Sequence, residues 1–257
     1  MVDDLIEVRH LSAHYDGQLV LEDISFSVQQ GELFYIIGGS GSGKTTLFKH
    51  MVGLLKPTSG EILYSGVDIT RLDEDELAAV QRKIGIAFQS GALFNSLTVG
   101  DNVALPLREV GSIDSNLIEA IVRLKLSLVG LAGTERLLPA ELSGGMMKRA
   151  SLARALALDP PVVFFDEPSA GLDPITAAGL DRLVLTLRNL TGTTFIIVSH
   201  ELRSILGTAD RVLMLDRGKG IFLGGVGEAQ RSSVPRVRQF FERRANPVNQ
   251  VQPCSPL

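Results

Sequence analysis

Residues 38–46 read G-G-S-G-S-G-K-T-T, and the rest of the chain takes its meaning from them. The stretch matches the spacing G-x-x-x-x-G-K-[ST]. Leu33, Phe34, Tyr35, Ile36 and Ile37 before it predict a buried strand, and residues 46–52 after it predict the start of a helix. Strand, glycine loop and helix form the setting in which this spacing has chemical meaning. Gly38, Gly39, Gly41 and Gly43 lack a Cβ, so the backbone can curl until successive N–H groups face inward. The helix that follows adds the positive end of its dipole. A polyphosphate placed there meets donors and a favourable field together. Lys44 brings a full positive charge to the β- and γ-phosphates, and Thr45 a hydroxyl for Mg²⁺. Ser40, Ser42 and Thr46 complete the expected nucleotide-binding stretch.

The surrounding chain bounds the setting. At 257 residues it can build a large core as one domain or two lobes. Hydrophobic residues make up 45% and charged residues 21%, as in a soluble globular protein. No run approaches the roughly 18 continuous apolar residues of a membrane helix. The acidic start, Met1-Val2-Asp3-Asp4, lacks the basic and apolar regions of a signal peptide. The single Cys254 rules out an intrachain disulfide and fits a cytosolic location. A net charge of −4 and a pI of about 5.6 argue against a general nucleic-acid binder. No repeat of 20–50 residues is apparent.

Outward from the loop, residues 5–11 and 19–28 alternate as half-buried strands joined by a turn at residues 15–18. Tyr15 in that turn reads either as surface packing or as a platform for adenine stacking. Residues 61–64 and 84–88 predict further strands, and residues 73–82 a short polar helix. Residues 90–106 read as loop and short helix. Leu117, Ile121, Leu124 and Leu128 recur at helical spacing within 113–131, started by Ser112 or Asp114. Plain core packing is the expectation for that stripe. Residues 90–158 thus predict a helical lobe inserted into an α/β core.

Two further stretches carry chemistry. Leu142-Ser143-Gly144-Gly145-Met146 precedes a helix over 147–158, with Ser143 suited to cap it and the glycines permitting close approach. This is a second anion site or simply a capped helix. Val162-Val163-Phe164-Phe165 predicts a strand buried on both faces. Asp166 and Glu167 then fall at its C-terminal edge, where open α/β sheets place ligands. Asp166 can hold Mg²⁺ directly or through water, and Glu167 can orient and polarise an attacking water. Asp173 and Pro174 suit the cap and first position of a helix. Residues 194–199 predict another buried strand, with His200 at its end, where it serves as a polar cap or a phosphate contact. Residues 211–215 and 220–223 predict two short strands. Residues 235–244 predict a basic amphipathic helix that packs on its own domain or docks on a partner. Residues 245–257, with three prolines, predict a mobile end.

From Tyr15 to His200, in the same order, these elements resemble the ATP-binding cassette ATPases. The resemblance implies an α/β fold: a P-loop NTPase (RecA-like) core with an N-terminal antiparallel β-subdomain and an inserted α-helical subdomain. Residues 1–89 and 159–230 would form the nucleotide-binding core, 90–158 the helical subdomain, and 231–257 a C-terminal helix and tail. It implies that Gln89 contacts Mg²⁺ and senses the γ-phosphate, and that Tyr15 stacks on adenine. Residues 142–146 resemble the signature L-S-G-G-Q with Met146 for Gln. Ser143, Gly144 and Gly145 would then bind the nucleotide, with Ser143 and Gly145 on the γ-phosphate. Asp166 and Glu167 correspond to the Walker B aspartate and catalytic glutamate. Asp173 lies in the D-loop segment and His200 at the switch histidine; Lys44, Glu167 and His200 form the catalytic set. The cofactors implied are ATP and Mg²⁺.

In such cassettes two copies stack head to tail around two ATP and drive a separate integral membrane permease. That arrangement puts this chain at the cytoplasmic face of the inner membrane, held there through the permease. Residues 88–99 and 101–107, with the P-R-V-R-Q-F segment at 235–240, are similar to the ATPase subunit of Mce/Mla-type systems, which move phospholipids or related lipids between bacterial membranes. Such systems add a periplasmic or Mce-type substrate-binding protein and a small regulatory subunit, and no nucleic acid. A cassette for another substrate, of the amino-acid, metal or lipoprotein type, is the alternative. Two other classes are weighed. Cassettes acting on DNA or ribosomes typically carry long coiled coils or two cassettes, and here there is one P-loop and no sustained heptad. A regulatory scaffold that binds ATP without cleaving it conflicts with intact Lys44, Asp166, Glu167 and His200.

Overall fold

The computed structural model describes residues 4–15 and 17–243. β1 (Asp4–Tyr15) and β2 (Gln18–Gln29) form a long antiparallel hairpin, extending further than the sequence pattern alone marks. β3 (Leu33–Gly38) runs into the glycine loop and α1 (Lys44–Met51) leaves it. β4 (Ser59–Tyr64) pairs with β1, and the two-residue β5 (Val67–Asp68) with β4. Together they make an antiparallel sheet in the order β2-β1-β4-β5. α2 (Glu74–Gln81) is closed by a reciprocal capping box between Asp73 and Glu76. β6 (Ile84–Ala87) then enters the second sheet.

Three helices follow: α3 (Val99–Glu109), α4 (Ser115–Leu128) and α5 (Gly144–Ala155). β7 (Val162–Asp166), α6 (Pro174–Thr191), β8 (Thr194–Val198) and α7 (Leu202–Thr208) return the chain to the second sheet. β9 (Arg211–Asp216) and β10 (Lys219–Gly225) complete it, and α8 (Val226–Gln230) and α9 (Pro235–Phe241) follow. Strand order is β10-β9-β3-β8-β7-β6, parallel throughout except at β10.

This second sheet divides the apolar interior in two. Successive strand residues point to opposite faces. Phe34, Ile36, Phe164 and Ile196 pack toward α1 and the antiparallel sheet. Tyr35, Ile37, Phe165 and Phe195 pack toward α3–α6. On the first side the Phe26 and Phe34 rings stack at 5.3 Å, and Phe48 of α1 meets Phe164 edge-on at 5.7 Å. Both faces being covered explains why β3, β7 and β8 are nearly all apolar.

Several elements differ from the sequence reading. α3 is a full helix although Pro106 lies inside it. The segment leading into the helix is held by Asn102, which is fully buried. Its amide nitrogen donates to the carbonyls of Phe94, Leu97 and Thr98, and its oxygen accepts from the Phe94 N–H. α5 begins at Gly144, not at Met147, because Ser143 already caps it through the Met146 N–H. α7 and α8 have no counterpart in the sequence reading. The stripe on α4 is core packing only in part: Ile121 and Leu128 pack against the interior, whereas Leu117 is 54% and Leu124 56% exposed, and Ile118, Val122 and Leu126 are the residues fully inside. α9 packs on its own domain through Val237, Phe240 and Phe241. Residues 245–257, expected to be mobile, lie outside the described residues. Among the described residues no helix is long and apolar enough to cross a membrane.

Candidate active site

The parallel strands deliver the site residues to one edge. β3 ends at Gly38 in an extended glycine conformation, φ 148°; Gly41 and Gly43 take φ 73° and 103°. A Cβ on Gly38 would lie 2.3 Å from the Leu215 carbonyl oxygen, and one on Gly43 2.7 Å from Leu21. The loop is therefore wedged between β9 and the hairpin and tolerates nothing larger than glycine at these points. Gly43 gives α1 no side-chain cap, and no acid sits in its first turn. The first N–H groups of α1 thus lack a side-chain acceptor, the condition for receiving an anion. The Lys44 Nζ donates to the Gly38 and Gly39 carbonyls, each at 2.9 Å, and lies folded over its own loop. Ser40, Gly41 and Thr45 are exposed at the rim, and Thr46 is half-buried. Ser42 is buried, and its Oγ has no hydrogen-bond partner.

Next to the loop, β7 and β8 end side by side. Glu167 sits at φ 44°, with its N–H on the Val198 carbonyl at 2.8 Å. Its Oε1 lies 2.8 Å from Nδ1 of His200, and its Oε2 is buried without a hydrogen-bond partner. A carboxylate oriented through one oxygen and without a protein partner at the other keeps a lone pair for the proton of a water that reaches it. Burial pushes the Asp166 carboxyl above its ordinary range, and the charge of Glu167 adds to that; Lys148, Lys44 and Lys49 oppose it. Burial pulls the Lys44 ammonium down, against the pull of Glu167 and Asp166. Phe88, Gln89, Ser90, Asp166, Ala170 and Gly171 line one open cleft, which joins Gln89 to the β7 edge.

The remaining residues fall into two groups. Tyr15 is 64% exposed at the hairpin tip, on the same hairpin whose Val20 and Leu21 press on Gly43. Asp173 caps α6, accepting from Ile175 N–H at 2.9 Å and Thr176 N–H at 3.0 Å; the Thr176 side chain first, and then these N–H bonds, hold its carboxyl low. Ser143 and Gly144 are exposed at the start of α5. Gly145 has a packing reason to be glycine, since a Cβ there would lie 2.5 Å from the Thr176 methyl of α6. The structure shows no bond between the start of α5 and the 38–46 loop of the same chain.

The donor set fits a nucleotide with a hard divalent cation. An uncapped helix start, a glycine ring and an unpartnered Ser42 hydroxyl suit a polyphosphate. Among the described residues no cluster of three or more His, Cys, Asp or Glu is placed to hold a metal. Mg²⁺ needs no such cage when phosphate oxygens and water complete its shell. The sequence reading missed two cations on α5. Lys148 is buried, and its Nζ donates to the carbonyls of Gln89 and Glu167. Arg154 donates to the carbonyls of Gly91 and Ala92. Both bond main-chain carbonyls, which every residue carries, so neither leaves a signal in sequence.

Known proteins share this arrangement. The family profile described as ABC transporter matches residues 21–170. The intermembrane phospholipid transport system ATP-binding protein MlaF of Haemophilus influenzae is 43% identical over 94% of this chain and 92% of its own length. The protein of that name in Escherichia coli K12 is 41% identical over 94% and 90%. A probable ribonucleotide transport ATP-binding protein, mkl, of Mycobacterium leprae is 40% identical over 95% of this chain and 70% of its own. Among solved structures, the dimeric post-hydrolysis state of the ATP-binding cassette MJ0796 with ADP and Pi superposes with a TM-score of 0.79. It is 29% identical and covers 86% of this chain and 98% of its own. Clostridium perfringens cbiO1, part of the transporter complex cbiONQ, gives 0.83 at 29% identity over 93% and 99%. With its glycine loop, paired carboxylates and capped α5 in these positions, this chain belongs to the ABC transporter family, as one of its ATP-hydrolysing cassettes.

Proposed function

We propose that this cassette works as one of two identical copies closed around two ATP and drives a separate membrane permease that moves phospholipids between membranes. The observation that carries the catalytic part is Glu167: one carboxylate oxygen rests on His200 and the other is buried with no protein partner. Identity above 40% to proteins named for phospholipid transport, over nearly the full chain, supports the substrate. The dimeric cassette MJ0796 supports the pairing, and cbiO1 supports a permease partner. The division into a core (1–89 and 159–230), a helical lobe (90–158) and a C-terminal segment (231–257) belongs to the same proposal. So do a position at the cytoplasmic face of the inner membrane, an Mce-type binding protein and a small regulatory subunit.

Each residue then has a task. The N–H groups of 38–46 and the start of α1 hold the phosphates, and Lys44 exchanges its loop carbonyls for them. Tyr15 offers its exposed ring to adenine. Thr45, Gln89 and Asp166 would hold Mg²⁺, which neutralises charge on the phosphates when bound. Glu167, steadied by His200, takes up the proton of the attacking water. Ser143, Gly144 and Gly145 meet the nucleotide of the other copy, and Asp173 fixes the adjoining turn by capping α6. Loss of the γ-phosphate removes those contacts and shifts the pair toward its open state.

Purified protein tests this reading. Glu167→Gln is expected to lower kcat about 10²- to 10⁴-fold while ATP binding persists. Lys44→Ala is expected to lose binding or turnover. Ordinary turnover in Glu167→Gln refutes the assigned role. Isolation with a membrane permease and phospholipid supports the transport reading; a permease carrying ribonucleotide instead favours the substrate named for the mkl relatives.

A further inference from the structure

We infer that Lys148 is a positioning residue for hydrolysis: it is the clamp by which α5 holds the backbone of Glu167 in register with the loop carrying Gln89. The inference rests on the roles proposed above for Glu167 and Gln89. It starts from the backbone of Glu167, whose φ of 44° is one that a glutamate adopts only when its surroundings over-determine it. Three contacts do so. The Glu167 N–H donates to the Val198 carbonyl, and the Glu167 carbonyl accepts from the Ala170 N–H at 3.2 Å and from Lys148 Nζ at 3.0 Å. The first two come from the neighbouring strand and from Glu167's own turn. Lys148 alone reaches across from the helices that follow β6.

The same ammonium donates to the Gln89 carbonyl. β6 and β7 are adjacent and parallel, so their C-terminal ends lie side by side and one ammonium can bridge them. The Gln89 side is itself strained at Ala92, whose φ is 45° and which follows Gly91 at φ 77°. Arg154, from the same helix as Lys148, holds both of their carbonyls, at 3.1 and 2.7 Å. α5 thus grips residues 89–92 with two cations and Glu167 with one of them. Lys148 is 5% exposed, so its ammonium depends on these two carbonyls rather than on bulk water, and removing it takes a charged donor from both. Ser143, Gly144 and Gly145 open this helix, so a tilt of its start reaches the chain's own Glu167 through Lys148.

The test uses the full chain with Lys148→Met, Lys148→Arg and Lys148→Gln, and Glu167→Gln as reference. Lys148→Met is expected to lower kcat about 10- to 100-fold, with KM for ATP within about threefold of the parent. Lys148→Arg keeps the charge and several donors and is expected to restore most of the rate. Without nucleotide, exchange of the Gly91 and Ala170 amides, which close the two turns, is expected to quicken about tenfold in Lys148→Met and not in Lys148→Arg. Parental kcat in Lys148→Met overturns the inference. So does a rate loss that Lys148→Arg leaves unrepaired, or one accompanied by unchanged exchange. Should Lys148→Met fail to fold, Lys148→Arg must exceed Lys148→Gln in kcat by about tenfold, and equal rates overturn it. Normal turnover in Glu167→Gln defeats the assignment of Glu167 instead, and the exchange measurement still decides the clamp.

Discussion

Glu167 shows how far single residues can be read from sequence. Its place after four apolar strand residues was visible, because a buried parallel strand must end where its ligand-facing edge begins. Its backbone conformation was not, because φ at a glutamate leaves no mark in composition. Lys148 was hidden for a related reason: its partners are main-chain carbonyls, which every residue has. His50 supplies a prediction at this scale. It is buried in α1 with Nδ1 2.9 Å from the Leu55 carbonyl, and burial lowers its pKa from 6.5. Below that value the unfolded chain takes up a proton that the folded chain refuses. Stability therefore falls as pH drops through about 6.5 toward the lowered folded value. Thermal melts of the nucleotide-free protein between about pH 7.5 and 5.5 are expected to show that slope, and His50→Gln is expected to flatten it.

Elements were legible where period and caps agreed. Asp173 caps the helix whose start it suggested, Asp114 rather than Ser112 caps α4, and Asp73, read as the first residue of its helix, is that helix's cap. α3 was blurred by Pro106, which reads as a breaker, and by Asn102, which reads as a loop residue. In the fold that asparagine bonds three carbonyls and one N–H of the segment before and at the helix start. Asn102→Ala is expected to destabilise the chain by about 1–3 kcal/mol, read from denaturant midpoints, because it strands buried backbone groups. α4 misled in the other direction. Leu117 and Leu124 of its most regular stripe face outward while Ile121 and Leu128 pack inward, and a neighbouring face carrying Ile118, Val122 and Leu126 is buried. Periodicity reports that a helix has an apolar side, and here there are two.

For the whole molecule, the resemblance implied an antiparallel β-subdomain beside an α/β core, yet sequence order cannot say which strand ends meet. Asp166, Glu167, His200 and the glycine loop converge because β3 pairs with β8 and β8 with β7, a crossover invisible in the linear chain. The start of α5 makes no bond to that loop within one copy, and pairing of two copies is the proposed remedy. In the Glu167→Gln background, ATP is expected to convert monomer to dimer by light scattering. Adding Ser143→Arg is expected to abolish the dimer while leaving nucleotide binding within about threefold. A dimer that persists in the double variant counts against the shared site.

Phe164 and Phe165 are neighbours in sequence, yet they face opposite halves of the interior. β7 is thus a party wall, and the two acids stand at its exposed end. A shift of packing in either half therefore moves this one strand, and the two carboxylates at its end move with it.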